Sequence, residues 1–139
     1  LWRRSYDVQP PSLDKDDPRN PKKQAPYQKI KGEVELPLTE CLKDAVARVA
    51  PYFEEEIKPQ IVAGKKLLIV AHGNSIRALR KHLEGISDKE IAGMNIPTGV
   101  PLVYHLNEDF TVRDVSYLGD QEAVQAKIDA VKKQSARSK

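Results

Sequence analysis

Residues 67–71, Leu-Leu-Ile-Val-Ala, are five consecutive apolar positions that run directly into His72. A short unbroken apolar run of this kind predicts a strand covered on both faces, as in parallel sheets flanked by helices. Behind it, after Gly73 and Asn74, Ile76, Leu79 and Leu83 recur on one side and predict a short helix over residues 75–83. In open α/β sheets ligands bind beyond the carboxyl ends of the strands, and His72 stands just past such an end. Gly73 is expected to let the backbone turn tightly and a ligand approach closely. The free N–H groups and positive dipole end of the following helix favour an anion, for which phosphate is the usual occupant. A histidine there can donate to a phosphoryl oxygen and stabilise charge that builds up during transfer. On these residues alone, a structural strand-end histidine is as good a reading as a functional one.

The rest of the chain places this unit in context. Residues 7–37 carry six prolines and little apolar periodicity, which predicts a long irregular loop. Such a loop is equally a mobile surface segment or one that encloses a substrate. Thr39 is a candidate cap for an amphipathic helix carrying Leu42, Val46, Val49, Ala50, Phe53 and Ile57. That helix is expected to kink near Pro51 and end near Ala63 and Gly64. Ser87-Asp88-Lys89-Glu90 is a capping box for a second short helix over residues 88–93. A turn at residues 96–99 leads to strands over 100–106 and 111–118. Asp120 can cap a last helix carrying Val124, Ile128 and Val131, and residues 134–139 read as a flexible tail. Helix, strand, helix, strands and a closing helix make an α/β pattern in a chain of one-domain size.

Charge and cysteine content exclude several classes. A formal net charge of +3 from 23 basic and 20 acidic residues gives no basis for nucleic-acid binding, and fits an anionic small ligand instead. The single cysteine, Cys41, builds no disulfide framework and no zinc site, which points to a reducing, cytoplasmic setting. No apolar run approaches a membrane span, and no two of the three histidines have the spacing of a helical metal pair. His82 and His105 read as surface residues. Adjacent Arg3 and Arg4 suit a carboxylate or phosphate through bidentate forks, although arginines near a chain end are more often solvated charges.

Taken in order, Leu-Trp-Arg-Arg (1–4), Leu-Pro-Leu-Thr-Glu (36–40), Ala-His-Gly-Asn-Ser (71–75), Ile-Pro-Thr-Gly-Val-Pro-Leu-Val-Tyr (96–104) and Tyr-Leu-Gly-Asp (117–120) closely resemble the 2,3-bisphosphoglycerate-dependent phosphoglycerate mutases of the histidine phosphatase superfamily. The resemblance implies a cytoplasmic glycolytic and gluconeogenic isomerase that interconverts 3- and 2-phosphoglycerate through a phosphohistidine. It implies 2,3-bisphosphoglycerate as the priming phosphate donor, no metal, and small phosphorylated three-carbon acids as partners, with no nucleic acid or membrane. Homo-oligomers occur in the family. It also implies a three-layer α/β fold with a mostly parallel sheet. Mapped onto this chain, His72 looks like the second active-site histidine, which stabilises the transferring group. Gly73 and Asn74 match the phosphate-contacting pair, and Arg3 and Arg4 match the arginines that grip phosphoglycerate.

The family's Arg-His-Gly motif, which carries the nucleophile, does not occur in this sequence, and no glutamate here matches the family's general acid. The chain therefore reads as residues 1–139 of the C-terminal part of a single mutase-like domain, incomplete on its N-terminal side. On this reading it is inactive and folds poorly alone. Two other readings stand beside it: a histidine phosphatase hydrolysing phosphate monoesters, and a non-catalytic module that binds a phosphorylated metabolite.

Overall fold

The computed structural model describes residues 2–30 and 32–136, without the side chains of Arg3, Ser135 and Ala136. Two 3-10 turns (Trp2–Arg4 and Pro21–Lys23) precede a short helix α1 (Ala25–Gln28) and helix α2 (Leu42–Tyr52). A π-helical turn (Phe53–Ile57) joins α2 to α3 (Lys58–Val62). Then come α4 (Gly73–Glu84), α5 (Asp88–Gly93), β1 (Leu102–Leu106), β2 (Val112–Tyr117) and α6 (Gln121–Ala136). This mixture of helix and strand is consistent with an incomplete form of the α/β fold that the resemblance implies.

Residues 67–71 depart from the covered strand expected of them. They enter no ladder; among the described residues the paired strands are β1 and β2, which run antiparallel from Leu102 opposite Tyr117 to Leu106 opposite Val112. Leu68 and Val70 are 86% and 87% exposed, while Leu67 and Ile69 are 39% and 44% exposed. The alternation is that of an extended segment with one face turned inward. Among the described residues no neighbouring strand pairs its backbone groups and no helix covers its outer face, so the apolar run stays at the surface.

The helices are set by local chemistry. The cap of α2 is Cys41 rather than Thr39. The Asp44 carboxylate accepts from the Cys41 N–H (2.8 Å), while Thr39 donates its hydroxyl to the Pro10 carbonyl at 2.6 Å. Pro51 lies inside α2, and the helical path continues past it through the wider π turn, a usual way of absorbing a missing donor. Pro59 falls in the first turn of α3, where a proline is tolerated, and the helix ends before Gly64 at φ +77°. The capping box of α5 forms as read: Ser87 accepts from the Glu90 N–H and Glu90 accepts from the Ser87 N–H, both at 3.2 Å.

Helices α2, α4 and α5 enclose the core. Leu42, Ala45, Ala78 and Ile91 are buried together, with Tyr6, Val46, Val49, Ile86 and Met94 packed on them. The hairpin is tied to α4 by a polar cluster. Arg80 donates to Glu84 at 2.8 Å and to the Tyr117 hydroxyl at 3.2 Å, and the Tyr104 hydroxyl donates to Glu84. Asp120 caps α6 by accepting from the Ala123 N–H at 2.9 Å. The helix runs through Ala136, three residues into the stretch expected as a loose tail, and residues 137–139 lie outside the described residues. Within residues 7–37, Asn20 is buried. It accepts from the Lys22 N–H at 3.0 Å and donates to the Lys15 carbonyl at 3.2 Å, so the irregular segment has its own polar centre.

Candidate functional site

His72 is the N-cap of α4. It has extended backbone, and its Nδ1 accepts the Asn74 N–H at 3.2 Å while its carbonyl accepts the Ile76 N–H at 3.0 Å. An imidazole that accepts at Nδ1 carries its proton, when neutral, on Nε2. The ring thus presents an N–H donor on the side away from the helix, and it is exposed. The question raised by a histidine at this junction has a structural answer. It replaces the usual Ser, Thr, Asp or Asn cap and leaves a second, outward-facing ring nitrogen as a donor, which Ser, Thr and Asp lack.

Gly73 does not use the conformational freedom expected of it. Its φ is not positive, and a Cβ built there would meet Ile96 at 3.9 Å, an ordinary contact. The turn into α4 is made by the backbone of His72, so a need for glycine here would have to come from whatever approaches the helix end.

Arg4 lies on the same side of the molecule. The turn that carries it packs on α5, and its Nη1 donates to the Gly93 carbonyl at 3.3 Å. The side chain of Arg3 lies outside the described residues. A third arginine joins the group and was not singled out in the sequence. Arg77, one helical turn after Asn74, donates from Nη1 to Asn74 Oδ1 at 3.4 Å and from Nη2 to the Ile91 carbonyl. Its Nε is buried with no hydrogen-bond partner. The spacing from Asn74 to Arg77 is the i, i+3 spacing that brings side chains together on a helix, and that was the available signal.

Burial, and then the nearby positive charge of Arg4, lower the pKa of Arg77 below its ordinary value. Neither Arg4 nor Arg77 has an ion-pair partner among the described residues; both lean on carbonyls at the last turn of α5. The negative end of that helix stabilises them without neutralising them. The first turn of α4, the outward Nε2 of His72, the amide of Asn74 and two uncompensated guanidiniums make a set of donors with excess positive charge. Such a set is suited to an anion with several acceptor oxygens.

The other histidines sit elsewhere. His82 pairs with Glu54 at 3.0 Å and packs edge-on against Phe53, and His105 faces Asp114 across the hairpin at 3.4 Å. Among the described residues no three His, Cys, Asp or Glu side chains gather as metal ligands, and no helix is long and apolar enough to cross a membrane.

The chain is 54% identical over 137 residues, 99% of its length, to a 2,3-bisphosphoglycerate-dependent phosphoglycerate mutase of Treponema denticola. It spans about half the length of that relative, 55%. The family model of the histidine phosphatase superfamily, branch 1, matches residues 9–114, a stretch that includes the His72 cap and both core-forming helices beside it. By that match, the chain belongs to the histidine phosphatase superfamily.

Proposed function

We propose that this chain, residues 1–139, is the C-terminal part of a single-domain 2,3-bisphosphoglycerate-dependent phosphoglycerate mutase, and that it holds the electrostatic half of the active site. One observation carries the reading: His72 is locked by its own helix so that Nε2–H faces outward, in the same helical turn as Asn74, whose amide meets Arg77, and neither Arg77 nor the nearby Arg4 has an ion-pair partner among the described residues. A ring held in this way donates to a phosphoryl oxygen without first reorganising, which is the condition under which such a donor accelerates transfer. The 54% identity to a mutase over nearly the whole chain supports the same substrate class.

Each residue has a distinct task on this reading. Arg3 and Arg4 grip the carboxylate and phosphate of phosphoglycerate. Asn74 donates its side-chain amide to a phosphate oxygen, and the N–H of Gly73 donates from the open end of α4. His72 holds the transferring group as charge develops on its equatorial oxygens. The same donors fit 2,3-bisphosphoglycerate, because the guanidinium of Arg4, which has no ion-pair partner among the described residues, is what a multiply anionic group would satisfy. When bound, 2,3-bisphosphoglycerate supplies the phosphoryl group that primes the enzyme. On this reading the nucleophilic histidine and the general acid lie on a segment outside residues 1–139, and the chain alone is inactive. The unpaired edges of residues 67–71 are then where further strands pair, and their exposed outer face is where the rest of the domain packs. A cytoplasmic setting follows from the glycolytic role.

The test is made on the full-length protein. With 3-phosphoglycerate and catalytic 2,3-bisphosphoglycerate, the reading expects 2-phosphoglycerate to form much faster than inorganic phosphate is released. Phosphate release without isomerisation would make the protein a phosphatase. Saturable binding without either product would make it a binding module.

A further inference from the structure

The structure assigns Arg77 a part in this site: we propose that it is a positioning residue that fixes the orientation of the Asn74 carboxamide for the anion. The proposal rests on the anion-site reading above, but not on which reaction is catalysed there.

A carboxamide has two faces of opposite character, and its rotation decides which one a ligand meets. At a phosphate site only the NH2 edge is useful, since the oxygen would repel a phosphoryl oxygen. Arg77 resolves the choice because a guanidinium donates and never accepts. The atom of Asn74 that it meets at 3.4 Å must therefore be Oδ1, and the NH2 group is turned the other way. Asn74 makes no other side-chain hydrogen bond among the described residues, so this contact is what sets the flip.

Arg77 is itself held from the opposite side. Its Nη2 donates to the Ile91 carbonyl in the last turn of α5, and Ile91 is a fully buried core residue. The path runs from the core, through a helix-end carbonyl, through a planar guanidinium, to the amide. Arg77 is half-buried and makes no ion pair among the described residues, so its placement is not explained by a carboxylate partner. A lysine cannot make the same bridge, because it lacks the planar fork that reaches two oxygens at a fixed angle.

The experiment is a double-mutant cycle in the full-length protein, with inorganic phosphate as the probe and its affinity read by calorimetry. Arg77→Ala and Asn74→Ala should each weaken phosphate by about tenfold, and the double variant should be no weaker than either single one. Arg77→Lys should recover only part of the loss. If Arg77→Ala does not fold, Arg77→Lys combined with Asn74→Ala carries the same cycle. Losses that multiply, an Arg77→Ala protein with wild-type affinity, or full recovery by lysine would each overturn the proposal. A wild-type protein that binds phosphate but does not isomerise phosphoglycerate would defeat the mutase reading and leave this cycle standing. A wild-type protein that does not bind phosphate would overturn both.

Discussion

The Nδ1 of His72 accepts the backbone N–H of Asn74 at 3.2 Å, so one imidazole both caps α4 and faces outward as a donor. The two roles separate by substitution. His72→Ala should cost about 1 kcal/mol of stability through the lost cap, whereas His72→Asn should keep the cap. Amide hydrogen exchange over the first turn of α4 checks this. Equal protection in both variants would show that the ring does not hold the helix end.

The cluster that ties the hairpin to α4 gives a pH dependence. Burial alone would raise the pKa of Glu84, but hydrogen bonds from Arg80 and Tyr104 and the charge of Arg80 outweigh it and leave the carboxyl below its ordinary value. A depressed carboxylate contributes stability that is present above the unfolded value of about 4.3 and is lost as pH falls through the lower folded value. The pair is well shielded, with 12% and 17% of the two side chains exposed. Glu84→Gln should cost about 2 kcal/mol at neutral pH and flatten the acid limb of the stability profile. Urea unfolding of the full-length protein from neutral to acid pH measures both, and an unchanged acid limb would contradict the assignment.

Much of this architecture was legible in the sequence because its causes are local. The Ser87 to Glu90 box and the Asp120 cap each specify a few neighbouring residues and formed where they were read, and the two strands formed within the stretches read for them, one to two residues shorter at their ends. Thr39 failed as a cap because its hydroxyl was taken by Pro10, a contact 29 residues distant that no local pattern shows. Residues 67–71 failed as a covered strand for a related reason: strand character is completed by a neighbour, and the run itself does not say where the neighbour is. At the site, His72 was found by its position at the strand-helix junction. Arg77 was passed over because a helical arginine looks like a solvated charge until its carbonyl and amide partners are placed.

The outward face of that apolar run makes its own prediction. In the full-length protein, where the rest of the domain is proposed to cover this face, Leu68→Lys with Val70→Lys should be destabilising by several kcal/mol, on the order expected for burying unpaired charge. A face left at the surface would change stability by no more than about 0.5 kcal/mol, as surface substitutions usually do. Chemical denaturation of the wild-type and doubly substituted full-length proteins decides it. A small effect in the full-length protein would mean that the face stays open.

The irregular segment offers a fourth check on stability. Asn20 satisfies a backbone N–H and at least one carbonyl from a buried position. Asn20→Ala should expose residues 14–24 to limited proteolysis and cost about 2 kcal/mol through the orphaned groups. Cleavage kinetics unchanged from wild type would show that the segment is held by other contacts.

The most direct measurement compares turnover of 3-phosphoglycerate by the full-length protein with and without His72→Ala, in the presence of 2,3-bisphosphoglycerate. If His72 stabilises the transferring phosphoryl group, kcat should fall by about a hundredfold or more while KM changes far less. Unchanged turnover would contradict the account, because it would leave His72 as a helix cap and nothing more.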